Sequence, residues 1–434
     1  MEWKKIYTER RRTAEEAIRL IHSGDRVVLG HAVGIPIVLT DALAEHKLDY
    51  TDVELIQMFP LGNARFAAPD MEGHFRLNTL FVGGLTKGAV KDGRADFTPC
   101  NFHETPKLFD ELLGVDVAVI QVTPPDKHGY VSCGVSVDYT LPAAKQAKRV
   151  IAQVNNQMPR TLGDTVLHVS EIDCFVEAEH AVIELPPPEI GEVERAIGEN
   201  CAKLIQDGDT LQLGIGAIPD AVLLFLKEKK DLGIHSEMIS DGVVELIEEG
   251  VITNAKKNLH PGKTVVTFLM GSRRLYDYVD DNPSVAMYPV SYVNDPYVVG
   301  QNDNLVSINS CIQVDLMGQI ASESVGMTQI SGTGGQVDFV RGAKLSRGGR
   351  SIMAIPSTAS KGRVSKIVPL LDEGAAVTTL RTDVDYVVTE YGIARLRGKN
   401  LRERAKALIQ VAHPGFRPGL IEEYGRRFHC AYAE

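Results

Sequence analysis

Two stretches 184 positions apart carry the same punctuation. Residues 24–43 read GDRVVLGHAVGIPIVLTDAL and residues 208–226 read GDTLQLGIGAIPDAVLLFL. Each has a Gly-Asp turn, a short apolar strand (26–29 and 210–213), a Leu-Gly exit and a glycine-containing turn. Each then has a proline that starts an apolar helix, a position where its missing N–H costs nothing. Strand, glycine turn and helix form the building unit of an open α/β sheet. Weaker matches follow in the same order: Phe81-Val82-Gly83-Gly84 with Leu269-Met270-Gly271-Ser272, and residues 126–132 with residues 315–322. A chain of 434 residues exceeds one ordinary core, so the repeat implies a duplicated domain. The stretch 185–191, LPPPEIG, suits neither helix nor central strand and reads as a linker. The expected organisation is an N-terminal domain over 1–185, a linker over 186–191 and a C-terminal domain over 192–434. Strands alternate with helices through both, which predicts two similar open α/β domains with mostly parallel sheets. In such sheets ligands bind beyond the carboxyl ends of the strands.

Charge and cysteine usage narrow the partners. A formal net charge of −11 argues against nucleic acid as the main partner, while leaving room for a local basic site for an anionic cofactor. Apolar runs are too short for a membrane span, and the first residues lack the apolar core of a secretory signal. The six cysteines (Cys100, Cys133, Cys174, Cys201, Cys311, Cys430) have no CxxC spacing and read as reduced thiols of a cytoplasmic protein. No metal-binding pattern is present.

The second copy of the repeat concentrates the chemistry. Residues 10–22 predict a helix that leads into the first copy. After the second, the helix from Pro219 is expected to end in Lys227-Glu228-Lys229-Lys230, where the dipole favours cations. A strand over 233–239 then stops at Ser240-Asp241-Gly242, a turn into a new helix. Glu237 lies at the end of that strand among Ile234, Met238 and Ile239. A carboxylate at neutral pH needs no base to act as a nucleophile, only removal from water and a positioned electrophile. An ordinary solvated glutamate is the alternative. His235 should share its face, as a site residue or a structural histidine. Matching Met58 to Met238 places Gln57 opposite Glu237 in the first half, so only one half carries the carboxylate.

Glycine turns surround this point. Gly214-Ile215-Gly216-Ala217-Ile218 offers backbone N–H groups at a helix start, a cradle for phosphate or an oxyanion; a plain tight turn is the alternative. A dinucleotide fingerprint fits poorly, because Pro219 stands where a third glycine belongs. Residues 331–339, SGTGGQVDF, form a second glycine turn that can add donors to the same pocket. Residues 355–363, IPSTASKGR, combine hydroxyls and cations after a strand over 351–355, a place to hold a phosphate-bearing tail. A strand over 384–389 ends at Glu390.

Taken together, GHAVG-P, GRADFTPC, the Asp-Lys-His-Gly-Tyr segment, GIGAIPDAVLLFL, IHSEMISDG, SGTGGQVDF, IPSTA and VDYVVTEYGIA resemble the acetyl-CoA hydrolase/transferase family, and in particular its 4-hydroxybutyrate-using branch. The resemblance runs from about residue 6 to residue 425. It implies class I CoA-transferase chemistry on two similar domains of NagB/RpiA/CoA-transferase-like fold, with the ligand in the cleft between them. It implies coenzyme A as co-substrate, no metal, no membrane or nucleic-acid partner, and a cytoplasmic homodimer. Carried over residue by residue, Glu237 is the nucleophile. Gly214, Ile215, Gly216, Ala217 and Ile218 form the oxyanion and CoA-binding turn, and Gly332, Gly334 and Gly335 the second donor turn. Asn309 and Lys361 correspond to CoA contacts, while His31, Asn294 and Glu390 line the substrate pocket.

The implied reaction moves CoA from acetyl-CoA or butyryl-CoA to a carboxylate such as 4-hydroxybutyrate or butyrate, through a glutamyl-CoA thioester. Two alternatives stay open from the residues themselves. An acyl-CoA hydrolase on the same scaffold would release thiol without an acceptor. A non-catalytic nucleotide-binding protein would leave Glu237 dispensable.

Overall fold

The computed structural model describes residues 2–432. Its residues group into two compact units: Met1–Pro186 with Val265–Val293, and Pro187–Thr264 with Asn294–Glu434. One boundary falls inside the proline run. The second half, however, is not continuous, because Val265–Val293 folds with the first unit. The reason is backbone pairing within that unit. Leu269 N–H donates to Val135 O at 2.8 Å, Val137 N–H to Thr267 O at 3.1 Å and Met287 N–H to Leu162 O at 2.8 Å.

The first unit is built on a seven-stranded sheet, in the order Ala95–Phe97, Phe75–Thr79, Val53–Gln57, Arg26–Leu29, Val117–Val122, Arg149–Val154, Cys174–Glu177. Every pairing in it is parallel. Such strands must be apolar on both faces, and VAVIQV (117–122) is buried throughout. The second unit has a six-stranded sheet, in the order Gly233–Ile234, Thr210–Leu213, Leu305–Ser310, Arg350–Ala354, Tyr386–Thr389, Gly392–Arg395. It is parallel except for the final hairpin pairing.

The repeat is visible in this topology. Arg26–Leu29 and Thr210–Leu213 each have the next strand of the chain on one side and the later strands on the other. Each is therefore the point where strand order reverses, and its carboxyl end opens the crevice where doubly wound sheets bind ligands. Register corrects one detail of the match. Arg26 lies opposite Glu54, and Thr210 opposite Gly233, so the counterpart of Glu237 is Met58 rather than Gln57. A slip of one residue moves a side chain to the other face. Gln57 instead corresponds to Ser236, and both reach back to the preceding strand. Gln57 Nε2 donates to Gly30 O at 2.6 Å, and Ser236 Oγ to Leu213 O at 3.0 Å.

Three expected elements differ in extent. Of the helix over 10–22 only Ala14–Ile18 forms; a separate helix, Glu2–Glu9, precedes it, and the chain between them is extended where Arg12 N–H donates to Phe175 O at 2.9 Å. The helix after the turn at Gly214–Gly216 runs Ala217–Leu224, and the cationic stretch beyond it lies in turns where Lys227 pairs with Glu245 and Glu249. The strand over 233–239 is two short strands, Gly233–Ile234 and Met238–Ile239, with a bend between them.

Candidate active site

Glu237 sits in that bend, half-buried in a segment whose other members are buried. Its neighbours anchor it to the glycine turn. Ser236 Oγ both donates to Leu213 O at 3.0 Å and accepts from Leu213 N–H at 3.3 Å. Ser240 Oγ, three residues on, donates to Asp220 Oδ1 at 3.0 Å. Asp220 belongs to the helix that the turn opens; burial is the main cause raising its carboxyl pKa above the usual range. The segment that carries the carboxylate is thus tied on both sides to residues 213–220; in the sequence Ser240 reads only as a turn residue and Ser236 has no assigned role.

Glycines at 214 and 216 leave the turn open. A side chain at either would meet no atom within 4 Å, and Gly216 has φ +113°, a backbone that L side chains rarely adopt. Ile215 is exposed, Ala217 half-buried and Ile218 buried. The turn therefore presents backbone to an empty space beside the strand end.

The carboxylate itself meets the second glycine turn. Asn294 Nδ2 donates to Glu237 Oε2 at 2.7 Å. A methyl at Gly335 would overlap that same oxygen and the Asn294 amide, so only glycine permits the approach. Helix packing brings these two residues together. Asn294 stands just before the helix Pro296–Val299, and Gly335 is the N-cap of the helix Gln336–Leu345. The two helices pack at glycine contacts: a Cβ at Gly300 would lie 2.7 Å from Leu345 Cβ, and one at Gly342 would overlap Val299. Their N-terminal ends consequently meet at Glu237, and the positive end of the longer helix lies against the carboxylate.

The remainder of the turn is held from below. Ile330 N–H and Ser331 N–H donate to Glu323 O at 2.9 and 3.0 Å, and Thr378 Oγ1 donates to the buried Glu323 carboxylate at 3.2 Å. Gly332 and Gly334 are buried, and Gly334 takes φ +53°.

The other expected residues are dispersed. Asn309, on Leu305–Ser310, donates to Gln212 Oε1 at 3.1 Å and Ser307 Oγ at 2.8 Å, one strand over from the glycine turn. Lys361 is exposed in a left-handed turn between the strands Thr358–Ala359 and Val364–Ser365. The Glu390 carboxylate accepts from Ser357 N–H at 2.9 Å and Ser357 Oγ at 2.5 Å, so it fixes the loop that carries Lys361. Burial lowers the ammonium pKa of Lys366, which follows the strand Val364–Ser365.

His31 belongs to the first unit, at the carboxyl end of Arg26–Leu29. Its Nδ1 lies 3.0 Å from Asp138 Oδ2, and the ring is walled by Phe268, Tyr139 and Phe102 with centroids at 4.7, 5.5 and 5.6 Å. Asp138 is fully buried and also accepts from Ser136 Oγ at 2.5 Å and Tyr139 N–H at 2.6 Å.

Four of the six thiols are buried and held in the neutral form. Burial pushes Cys133, Cys201 and Cys311 up to about 12 and Cys174 to about 11. Among the described residues no group of three or more His, Cys, Asp or Glu side chains is arranged to hold a metal ion. No helix among them is long and apolar enough to cross a membrane.

Residues 1–186 match the acetyl-CoA hydrolase/transferase N-terminal domain, and residues 271–424 the C-terminal domain of the same name. The chain belongs to the acetyl-CoA hydrolase/transferase family. Within that family it is 63% identical over 429 residues to the 4-hydroxybutyrate coenzyme A transferase of Clostridium kluyveri, covering 99% of this chain and 100% of the relative. It is 46% identical over 427 residues to the succinyl-CoA:cyclohexane-1-carboxylate CoA transferase of Geobacter metallireducens, covering 98% and 97%. The crystal structure of a 4-hydroxybutyrate CoA-transferase from Porphyromonas gingivalis superposes with a TM-score of 0.85 at 46% identity, covering 98% of this chain and 100% of that one.

Proposed function

We propose that the chain is a CoA-transferase that moves CoA from a short acyl-CoA, acetyl-CoA or butyryl-CoA, to a short-chain carboxylate such as 4-hydroxybutyrate or butyrate. The observation that carries this reading is the Glu237 carboxylate, held by Asn294 and seated against Gly335 beside an open glycine turn. Family membership and the CoA-transferase names of the relatives support it.

In the proposed cycle a Glu237 oxygen attacks the thioester carbonyl. The tetrahedral oxyanion takes hydrogen bonds from backbone N–H groups of Gly214–Ile218 and of the turn at Gly332–Gly335. Collapse expels CoA thiolate and leaves an acyl-glutamyl anhydride. The thiolate then attacks the glutamyl carbonyl and releases the first acid as carboxylate, leaving CoA as a thioester on Glu237. The acceptor carboxylate reverses both steps, so the kinetics are ping-pong. Forming the anhydride is costly, and binding of the remote CoA tail offsets that cost in the transition state. Asn309 and Lys361 are assigned to that tail, and His31, Asn294 and Glu390 to the substrate pocket. The enzyme works as a homodimer in the cytoplasm, in keeping with its reduced thiols.

The test is peptide mass spectrometry after brief incubation with acetyl-CoA. CoA is expected on the peptide that contains Glu237, discharged by added acetate or 4-hydroxybutyrate and absent in Glu237→Ala. Steady thiol release without acceptor and without adduct would replace the transferase reading with a hydrolase.

A further inference from the structure

We propose that three arginines gathered on the turn Leu316–Gln319, in the second unit, form a binding site for a phosphate-bearing small molecule. They arrive from three separate elements. Arg381 precedes the strand Tyr386–Thr389, Arg404 lies on the helix Leu401–Val411 and Arg427 on the helix Arg417–Phe428. All three meet at Met317. Arg381 Nη1 is 3.3 Å and Arg427 Nη2 2.9 Å from its Sδ. Arg404 Nη1 donates to Met317 O at 3.4 Å and to Arg381 O at 2.7 Å, and its Nε to Lys399 O at 3.2 Å.

The acceptors are neutral throughout. A thioether sulfur is a weak acceptor, and backbone carbonyls fix Arg404 without neutralising it. Among the described residues no carboxylate comes within 4.0 Å of any of the three, whereas Arg149, Arg160, Arg347, Arg350 and Arg426 each pair with one. The two nitrogens on the sulfur cannot be more than about 6 Å apart (2.9 + 3.3 Å), so two guanidinium charges are held side by side. Burial and the neighbouring Arg381 charge also hold Arg404 below its ordinary pKa. Like charges brought together on a protein of net charge −11 lack their counter-charge.

A phosphate group supplies it. Its several oxygens accept from more than one guanidinium, and the planar fork of arginine matches them in pairs. Gly318 keeps the approach open, since a Cβ there would lie 3.1 Å from Arg404 Nη1. The phosphate can come from the nucleotide end of CoA or from a separate phosphate compound, and the two sources differ in whether CoA competes.

The test is calorimetric titration of the full chain with inorganic pyrophosphate at low salt, which needs no turnover and so stands apart from the role of Glu237. Wild type is expected to bind, more weakly as salt is raised, and Arg381→Gln/Arg427→Gln to bind about tenfold or more weakly, the scale of a lost charge-assisted bond. Arg427→Gln alone, on an exposed helix end, provides the comparison if the double variant has a lowered thermal midpoint. Saturating CoA abolishes the titration if the CoA phosphates occupy the site, and leaves it intact if the ligand is separate. Equal binding by wild type and variants, or no binding by wild type, overturns the proposal.

Discussion

The two sheets begin alike and diverge at one edge. In the first unit, Val53–Gln57 is followed outward by Phe75–Thr79 and Ala95–Phe97. In the second, Gly233–Ile234 is the edge, because the segment matching residues 81–84, at 269–272, has folded with the other unit. Side chains close that edge instead. Asn254 Oδ1 accepts from Ile234 N–H at 2.8 Å, and Lys257 Nζ donates to Ile234 O and to Lys263 O, both at 2.6 Å. Gly233 has no Cβ, which lets the lysine stem pass; one there would lie 2.6 Å from Lys257 Cγ. At the equivalent register the first unit buries Met58, while the second bends and presents Glu237. In the second unit the strand paired with Thr210–Leu213 thus stops at Ile234, and Glu237 stands in the bend before the next strand, Met238–Ile239.

The largest expected effect separates Met58 from Glu237. Glu237→Ala should lower acyl transfer by about a thousandfold or more, as expected when a nucleophile is removed, and abolish the CoA adduct. Met58→Ala should keep the adduct and instead lose about 2–5 kcal/mol of stability, the usual range for truncating a buried methionine. An adduct on Glu237 that disappears in the Met58 variant while the fold is intact would break the comparison.

Glycines sharpen it next. Gly335→Ala pushes a methyl into the carboxylate and should reduce kcat/KM by about a hundredfold, the scale of misplacing a reacting group by an ångström. In the first unit, Gly34→Ala would place a Cβ 2.7 Å from Ser136 Cβ and 3.0 Å from His31 O. That overpacking should cost about 1–3 kcal/mol, read as a lower thermal midpoint.

Asn294→Ala removes one donor to the carboxylate and should lower kcat/KM by about ten- to a hundredfold, the value of a hydrogen bond to a charge. Single-turnover formation of the adduct is the cleanest readout.

A last comparison concerns the closed edge. Burial lowers the Lys257 ammonium to about 7 from 10.5. Between those values the unfolded chain binds a proton that the folded chain lacks, so stability should rise with pH across that window. Lys257→Met should remove this rise, measured as urea midpoints from pH 7 to 10. An unchanged slope would show that Lys257 does not titrate there.

How far the sequence could be read follows from where the information lies. The strands Arg26–Leu29 and Thr210–Leu213 were legible to the residue, because an apolar run between Gly-Asp and Leu-Gly admits one reading. The duplication and the parallel sheets were legible for the same local reasons. The bend at Glu237 was not, because HSE continues the alternation of a strand and no glycine or proline marks the break. The role of Asn294 rested on family resemblance alone; its contact depends on helix packing through Gly300 and Gly342, remote in sequence from Glu237. The membership of Val265–Val293 was equally hidden, since backbone bonds to residues 135–162 leave no pattern in side-chain type.

That last feature has a consequence for the order of synthesis. Val293 follows Pro186 by 107 residues, which a ribosome adds in about 5–20 s at ~5–20 residues per second. Throughout that interval the nascent first unit lacks a segment that supplies Phe268 against His31 and the backbone partners of Val135 and Leu162. The earlier-made half must wait, incomplete, for part of the later one, so a fragment ending at the proline run should be held by chaperones or aggregate where the whole chain folds.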